Sequence, residues 1–310
     1  MTLKEICRIA LPAHRGEGGF DHAAVDSRND RLYVAHPSND CVEVVDLEQR
    51  RHLHSLRSLK GVAGVWVSEP AGLLFTSNRG EDTTSIFELP AEREIARFPT
   101  GRRPNGIAFD PQRHLLAIAG VGASDGSAPP SVTFFDLASQ TPVSQVTAPG
   151  RTRWAMFHPP TDAFYVNIAD PPGIAQFRAS DPSGVARCIE VPARGPHGLE
   201  AHADGQGLYF ACDDGRLVTV ELPSGRARVV GKLAGAPDVL WSNRARDSLY
   251  VAIGEPGVVQ VFDTRNFEHV ETIPTADDAH TLTLDPRRNA VHVFLPGPQV
   301  DLVLRESPGA

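Results

Sequence analysis

Apolar and polar positions alternate in short runs along this chain, and the runs recur in a fixed order. A brief apolar stretch ends in Asp or a polar equivalent. A turn follows, then a strand of the LYVA type, a loop, and a strand of the form VxVφD. The order is legible in HAAVDSRNDRLYVAHPSNDCVEVVDL, in NGIAFDPQRHLLAIAG with SVTFFDL, in HGLEAHADGQGLYFACDDGRLVTVEL and in DVLWSNRARDSLYVAIGEPGVVQVFD. Aligned on the last apolar residue of the first strand, the copies fall at Val25, Val67, Phe109, Phe157, Ala201, Trp241 and Leu284. The intervals are 42, 42, 48, 44, 40 and 43 residues. A fourth strand ends each of the first six copies: HLHSL, REIARF, PVSQV, RCIEV, RARVV and HVETI.

Four strands repeated about every 43 residues is the period of a β-propeller blade. Seven copies predict an all-β, seven-bladed β-propeller of four-stranded blades, forming a single domain over residues 1–310. The blades are expected at about 20–58, 62–100, 104–148, 151–192, 195–231, 235–274 and 277–305, the last completed by residues 3–11. The seventh copy runs out after QVDLVLRES, and KEICRIALP near the N-terminus has the character of its missing strand. Pairing residues 4–10 with the strand near 300–304 closes the ring and leaves fewer free edges. Inner strands such as GIAFD and TLTLD are almost wholly apolar, as strands covered on both faces should be. The acids ending the third strands (Asp46, Glu88, Asp136, Glu221, Asp263) and the first strands (Asp26, Asp110, Asp285) precede polar turns. They are expected to accept turn N–H bonds and are not site candidates.

The LYVA, FYVN and LYVA strands followed by VxVφD resemble the YVTN-type β-propeller repeat over almost the whole chain. The resemblance implies the fold and selects no function. Such propellers include ligand-binding and surface proteins, and relatives in the wider class are lactonases or metal-dependent lyases.

Charge narrows the partners. Thirty basic against 38 acidic side chains give a net −8, which repels phosphate backbones and anionic lipid, so neither nucleic acid nor a membrane surface is expected. No stretch approaches 18 apolar residues, and the first residues lack the basic-then-apolar order of an export signal. Cys7, Cys41, Cys188 and Cys212 lie far apart without a C-x-x-C pair, as expected of reduced thiols. A cytoplasmic location follows, or a periplasmic or secreted one if a signal has been removed. Oligomeric state is left open.

Chemistry is expected where loops entering the inner strands surround the channel. Five residues before the terminal polar position of each inner strand stand Asp21, Ala63, Asn105, Arg153, His197, Pro237 and His280. His22 and Asp238 replace Asp21 and Pro237 if those blades shift by one. Imidazoles and a carboxylate from distant blades suit a first-row divalent metal, with His22, His197, His280 and Asp21 as ligands. A metal-free polar ligand site and a water-filled structural channel are the alternatives. Arg153 suits bidentate contact with a carboxylate or an oxyanion, or else a structural bridge to Asp21 or Glu200. Trp154 stacks on a ligand or wedges between blades. Asn105, Asp238 and His36 complete the substrate-binding candidates, and Glu200 is the candidate general base. Residues 11–19 and 120–130 form long loops on the same face.

Gly122-Ala-Ser124-Asp-Gly126 fits G-x-S-x-G, but Ser-Ala-Pro-Pro follows it where a nucleophile elbow needs a helix. No P-loop, dinucleotide fingerprint, HExxH or EF-hand loop occurs. The expected function is that of a small-molecule enzyme, a divalent-metal-dependent hydrolase of the lactonase or esterase kind, or a lyase. The gluconolactonase resemblance is architectural only, because this mouth is His-rich where that metal set is carboxylate- and Asn-rich. The alternative is a non-catalytic ligand- or protein-binding propeller scaffold.

Overall fold

The computed structural model describes residues 2–16 and 18–307. The seven repeats become seven four-stranded antiparallel sheets, each meandering outward from an inner strand, and together they form a seven-bladed β-propeller. The inner strands are Ala23–Asp26, Val62–Ser68, Pro104–Asp110, Thr152–His158, Pro196–Ala201, Pro237–Asn243 and Thr281–Asp285. The N-terminal strand, Thr2–Ala10, pairs antiparallel with Val300–Ser307, and Lys4 faces Arg305 while Ala10 faces Val300. Blade seven is thus built from both ends of the chain, and its third strand, Val300–Ser307, is paired on both sides. Among the described residues no helix is long and apolar enough to cross a membrane.

Apolar residues are buried between blades rather than in one central mass. Phe134 of blade three meets Phe164 and Phe177 of blade four, each with ring centroids 5.5 Å apart. Inner strands come closest of all. A Cβ on Gly106 would stand 2.5 Å from the carbonyl oxygen of Arg153 in the next blade, so only glycine lets those two strands meet.

The Asp side chains ending strands hold their turns. Asp46 Oδ1 accepts the backbone N–H of Gln49 at 2.7 Å, and Asp110 Oδ1 that of Gln112 at 2.9 Å. Asp26, Asp136, Asp263 and Asp285 do the same. Glu88, with a longer side chain, instead pairs with Arg93 at 2.8 Å.

Strand pairing also resolves the phase of blade six. Its inner strand runs to Asn243, which pairs with Ser248 as Asp110 pairs with Leu115 in blade three. Counting back five residues from Asn243 puts Asp238, not Pro237, in the mouth ring. One extra strand residue turns the adjacent side chain to the other face.

Candidate functional site

At one end of the axis, side chains from all seven blades line a cavity of about 240 Å³. Its walls are Asp21, His22, Arg79, Arg103, Asn105, Val121, Arg151, Arg153, His197, Asp238 and His280. Seven of the ten residues expected to carry the site therefore meet here. Trp154, Glu200 and His36 do not line the cavity.

His197 is the most constrained group. Its Nδ1–H donates to Asp213 Oδ1 at 2.9 Å, and Asp213 Oδ2 accepts from Arg153 Nη2 at 3.0 Å. On the other side, Nε2 lies 2.7 Å from Asp238 Oδ1 and 3.0 Å from Arg153 Nη1. The Asp238 contact is an ion pair outside straight hydrogen-bond geometry, so the buried Oδ1 has no aligned donor. Burial alone would depress the His197 pKa, but Asp238 and Asp213 outweigh it and raise it to about 9. Burial equally opposes charge on Asp238, yet His197, His280 and His22 hold its carboxyl well below the usual range. His280 Nε2 is 3.8 Å from Asp238 Oδ2.

His22 has the opposite character. It is buried, its Nε2 lies 3.5 Å from Asp21 Oδ1, and its ring centroid is 4.4 Å from that of Trp154. Burial pushes its pKa down, more than Asp21 and Asp238 raise it. Trp154 is thus a packing residue that backs the cavity floor. Arg79 completes the wall: its Nη2 donates to Asn105 Oδ1 and lies 3.9 Å from Asp21 Oδ2.

Glu200 sits deeper. It occupies the same inner-strand register as Trp66, Met156 and Trp241, all half-buried along the bore. Trp66 and Trp241 stack across the bore, with centroids 6.2 Å apart and planes 7° from parallel. Enclosure by protein raises the Glu200 carboxyl to about 8, and the charge that opposes this is Arg244, just beyond the far end of blade six's inner strand. Glu200, expected to serve the mouth as a base, is not among the residues that line the cavity.

His36 belongs to a second cluster, inside blade one. Its Nδ1–H donates to Glu43 Oε1 at 2.8 Å, and the same oxygen accepts from Cys41 Sγ at 3.1 Å. Glu43 Oε2 accepts from His52 Nε2 at 2.8 Å and Ser55 Oγ at 2.6 Å. His36 Nε2 lies 2.6 Å from His14 Nδ1, whose Nε2–H donates to the Pro296 carbonyl at 2.9 Å. His14 thereby ties its own segment, residues 11–16, to blades one and seven. His36 is the last residue of its strand, one position before the residue that turns to the mouth in other blades, so it faces into the sheet layer.

Among the described residues, His36, Cys41 and Glu43 are the one His/Cys/acid trio whose donor atoms all lie within 4.8 Å of one another. Their contacts to Glu43 are hydrogen-bond spacings. Donors around a tetrahedral first-row ion stand about 3.3–3.7 Å apart, given bonds of about 2.0–2.3 Å. Burial also raises the Cys41 thiol to about 12, away from the thiolate a metal needs. At the mouth, no three such donors reach that proximity, and Arg153 stands against His197 Nε2. The expected set of His22, His197, His280 and Asp21 is not among the groups whose donor atoms come that close together.

No protein-family model matches the chain, and no curated protein matches it in sequence. Solved structures do match it in shape. A chain of Kuenenia stuttgartiensis hydrazine synthase superposes with a TM-score of 0.81 over 93% of this chain and 96% of that one, at 14% identity. At that identity the likeness shows the propeller fold alone.

Sequence reasoning missed Arg79, Arg103, Arg151 and Asp213. Arg79 and Asp213 each directly follow the second strand of their blade, where the others have Pro37, Val121, Ala169, Gly254 and Pro296. A charge at that one position was the available signal.

Proposed function

We propose that the mouth cavity is a metal-free site at which a small molecule undergoes proton transfer, with hydrolysis of an ester or lactone as the reaction class. One observation carries the reading: two imidazoles in one cavity have environments that drive their pKa values apart. Such divergence is how a fold supplies an acid and a base at one pH. His22, kept neutral by burial, is the base that takes a proton from attacking water. His197, kept cationic by Asp213 and Asp238, is the acid that protonates the leaving oxygen, and Arg153 stabilises the developing oxyanion. Asp213 is a positioning residue that fixes the His197 ring through Nδ1.

The test is a panel of esters and lactones assayed from pH 5 to 10 with the wild type, His22→Asn and His197→Asn. We expect a bell-shaped kcat/KM that rises below the usual imidazole value as His22 loses its proton and falls near pH 9 as His197 does. Each substitution should cost about 10²–10⁴-fold, the range of general acid–base catalysis, and abolish its own limb. Absence of turnover across the panel would leave a binding propeller. Stoichiometric metal in the purified protein, lost in His197→Asn, would replace this reading with the metal-dependent one.

A further inference from the structure

Arginines crowd this cavity in a chain whose net charge is −8. Arg79, Arg103, Arg151 and Arg153 all line it, against the carboxylates of Asp21 and Asp238. Those two carboxylates are engaged with His22 and Arg79, and with His197 and His280. Arg153 has Asp213. Arg103 and Arg151 are left over: among the described residues neither makes an ion pair, and the Arg103 guanidinium donates to Ser124 Oγ at 3.0 Å.

The two also share one place in the repeat. Each stands seven residues before the end of its inner strand, at Asp110 in blade three and at His158 in blade four. Both also stand two residues before the mouth-ring position of their blade, and the residues at that place elsewhere are Gly19, Gly61, Gly195, Ala236 and Asp278. Their backbones are fixed alike, with the Arg103 carbonyl accepting from Val121 N at 3.1 Å and the Arg151 carbonyl from Ala169 N at 2.8 Å. Adjacent blades thus present two guanidinium groups in equivalent register to one cavity, without the carboxylates that elsewhere on this surface neutralise arginine.

We propose that Arg103 and Arg151 form a clamp for an oxyanion group, carboxylate or phosphate, on the molecule bound at the mouth. Guanidinium pairs suit such groups because their N–H forks match the spacing of the oxygens. A cationic cup in an acidic protein also draws anions to this one place. The assignment rests on the mouth being the site of small-molecule chemistry and defines which molecules enter it.

The experiment is calorimetric titration of the purified protein with acetate, succinate and inorganic phosphate at constant ionic strength. Saturable one-site binding of a carboxylate or of phosphate is expected, and the arm that binds identifies the group. Arg103→Gln plus Arg151→Gln should weaken it tenfold or more. Arg102→Gln, at an exposed arginine that pairs with Asp82 and does not line the cavity, should leave it unchanged. No saturable binding of any of the three, or equal loss in Arg102→Gln, overturns the clamp. The two readings fail separately. His197-dependent turnover of neutral esters without anion binding removes the clamp alone, whereas clamp-dependent anion binding without turnover removes the catalytic reading alone.

Discussion

Two clusters of imidazoles and carboxylates occupy this propeller, and they differ in what their hydrogen bonds leave over. Inside blade one, Glu43 is fully buried and both its oxygens are filled, by His36 and Cys41 on one side and His52 and Ser55 on the other. At the channel mouth, Asp238 Oδ1 has a cation beside it but no aligned donor, Arg153 Nε and Arg79 Nε have no partner, and two arginines lack any carboxylate. The same residue types thus make a closed structural knot in one place and an open chemical surface in the other. Residue identity did not separate them. The number of unsatisfied groups facing a cavity does.

The largest effect expected from that difference is on stability. Glu43→Gln removes a buried charge that four donors surround and replaces an acceptor oxygen with a donor. Breaking a buried pair from one side costs about 3–5 kcal/mol. Asp213→Asn at the mouth, where the carboxylate is 37% exposed, should cost less than about 1 kcal/mol. Urea unfolding of both variants checks the contrast, and equal losses would erase it.

A smaller effect separates the clusters by pH. Burial opposes the Glu43 charge, but His36, Ser55, Cys41 and His52 outweigh it and lower its pKa from 4.5 to about 2. A depressed acid contributes stability above its unfolded value, lost as pH falls from there through about 2. By linkage this amounts to about 3 kcal/mol. His197 is raised from 6.5 to about 9, so its contribution is complete below 6.5 and lost as pH rises through 9. Screening in a half-open cavity limits that to about 1–2 kcal/mol. Unfolding midpoints measured from pH 3 to 10 should fall at both ends. Glu43→Gln should flatten the acid limb alone, and His197→Asn the alkaline limb alone.

These differences mark what the chain made readable. The repeat was legible because each blade solves one packing problem, and its period survives in Val25, Val67, Phe109 and their counterparts. The closing strand was legible because the seventh repeat lacks one. The ring of inner-strand residues led to Asp21, Asn105, Arg153, His197 and His280, since a fixed count along equivalent strands reaches equivalent places. Arg79 and Asp213 were not found because they enter from the second strand, outside that count. His36 was misplaced because facing is decided by a single residue of register, and loop sequence does not reveal that register.

Glu200 sharpens the comparison from a third side, with the smallest effect. It is a carboxylate without the donors of Glu43 and without the cations of Asp238, held in the bore near Trp241. With its pKa raised from 4.5 to about 8, it favours the folded state less as pH rises through that interval, because the unfolded chain ionises first. Glu200→Gln keeps the shape and removes that penalty. The variant should gain stability at pH 7.5 and little or nothing at pH 4, with the gain growing between. Its anion binding and turnover should match the wild type, because Glu200 does not line the mouth cavity. A variant that unfolds like the wild type at every pH would show that the Glu200 carboxyl is not raised, and one that loses activity would show that Glu200 works with the mouth.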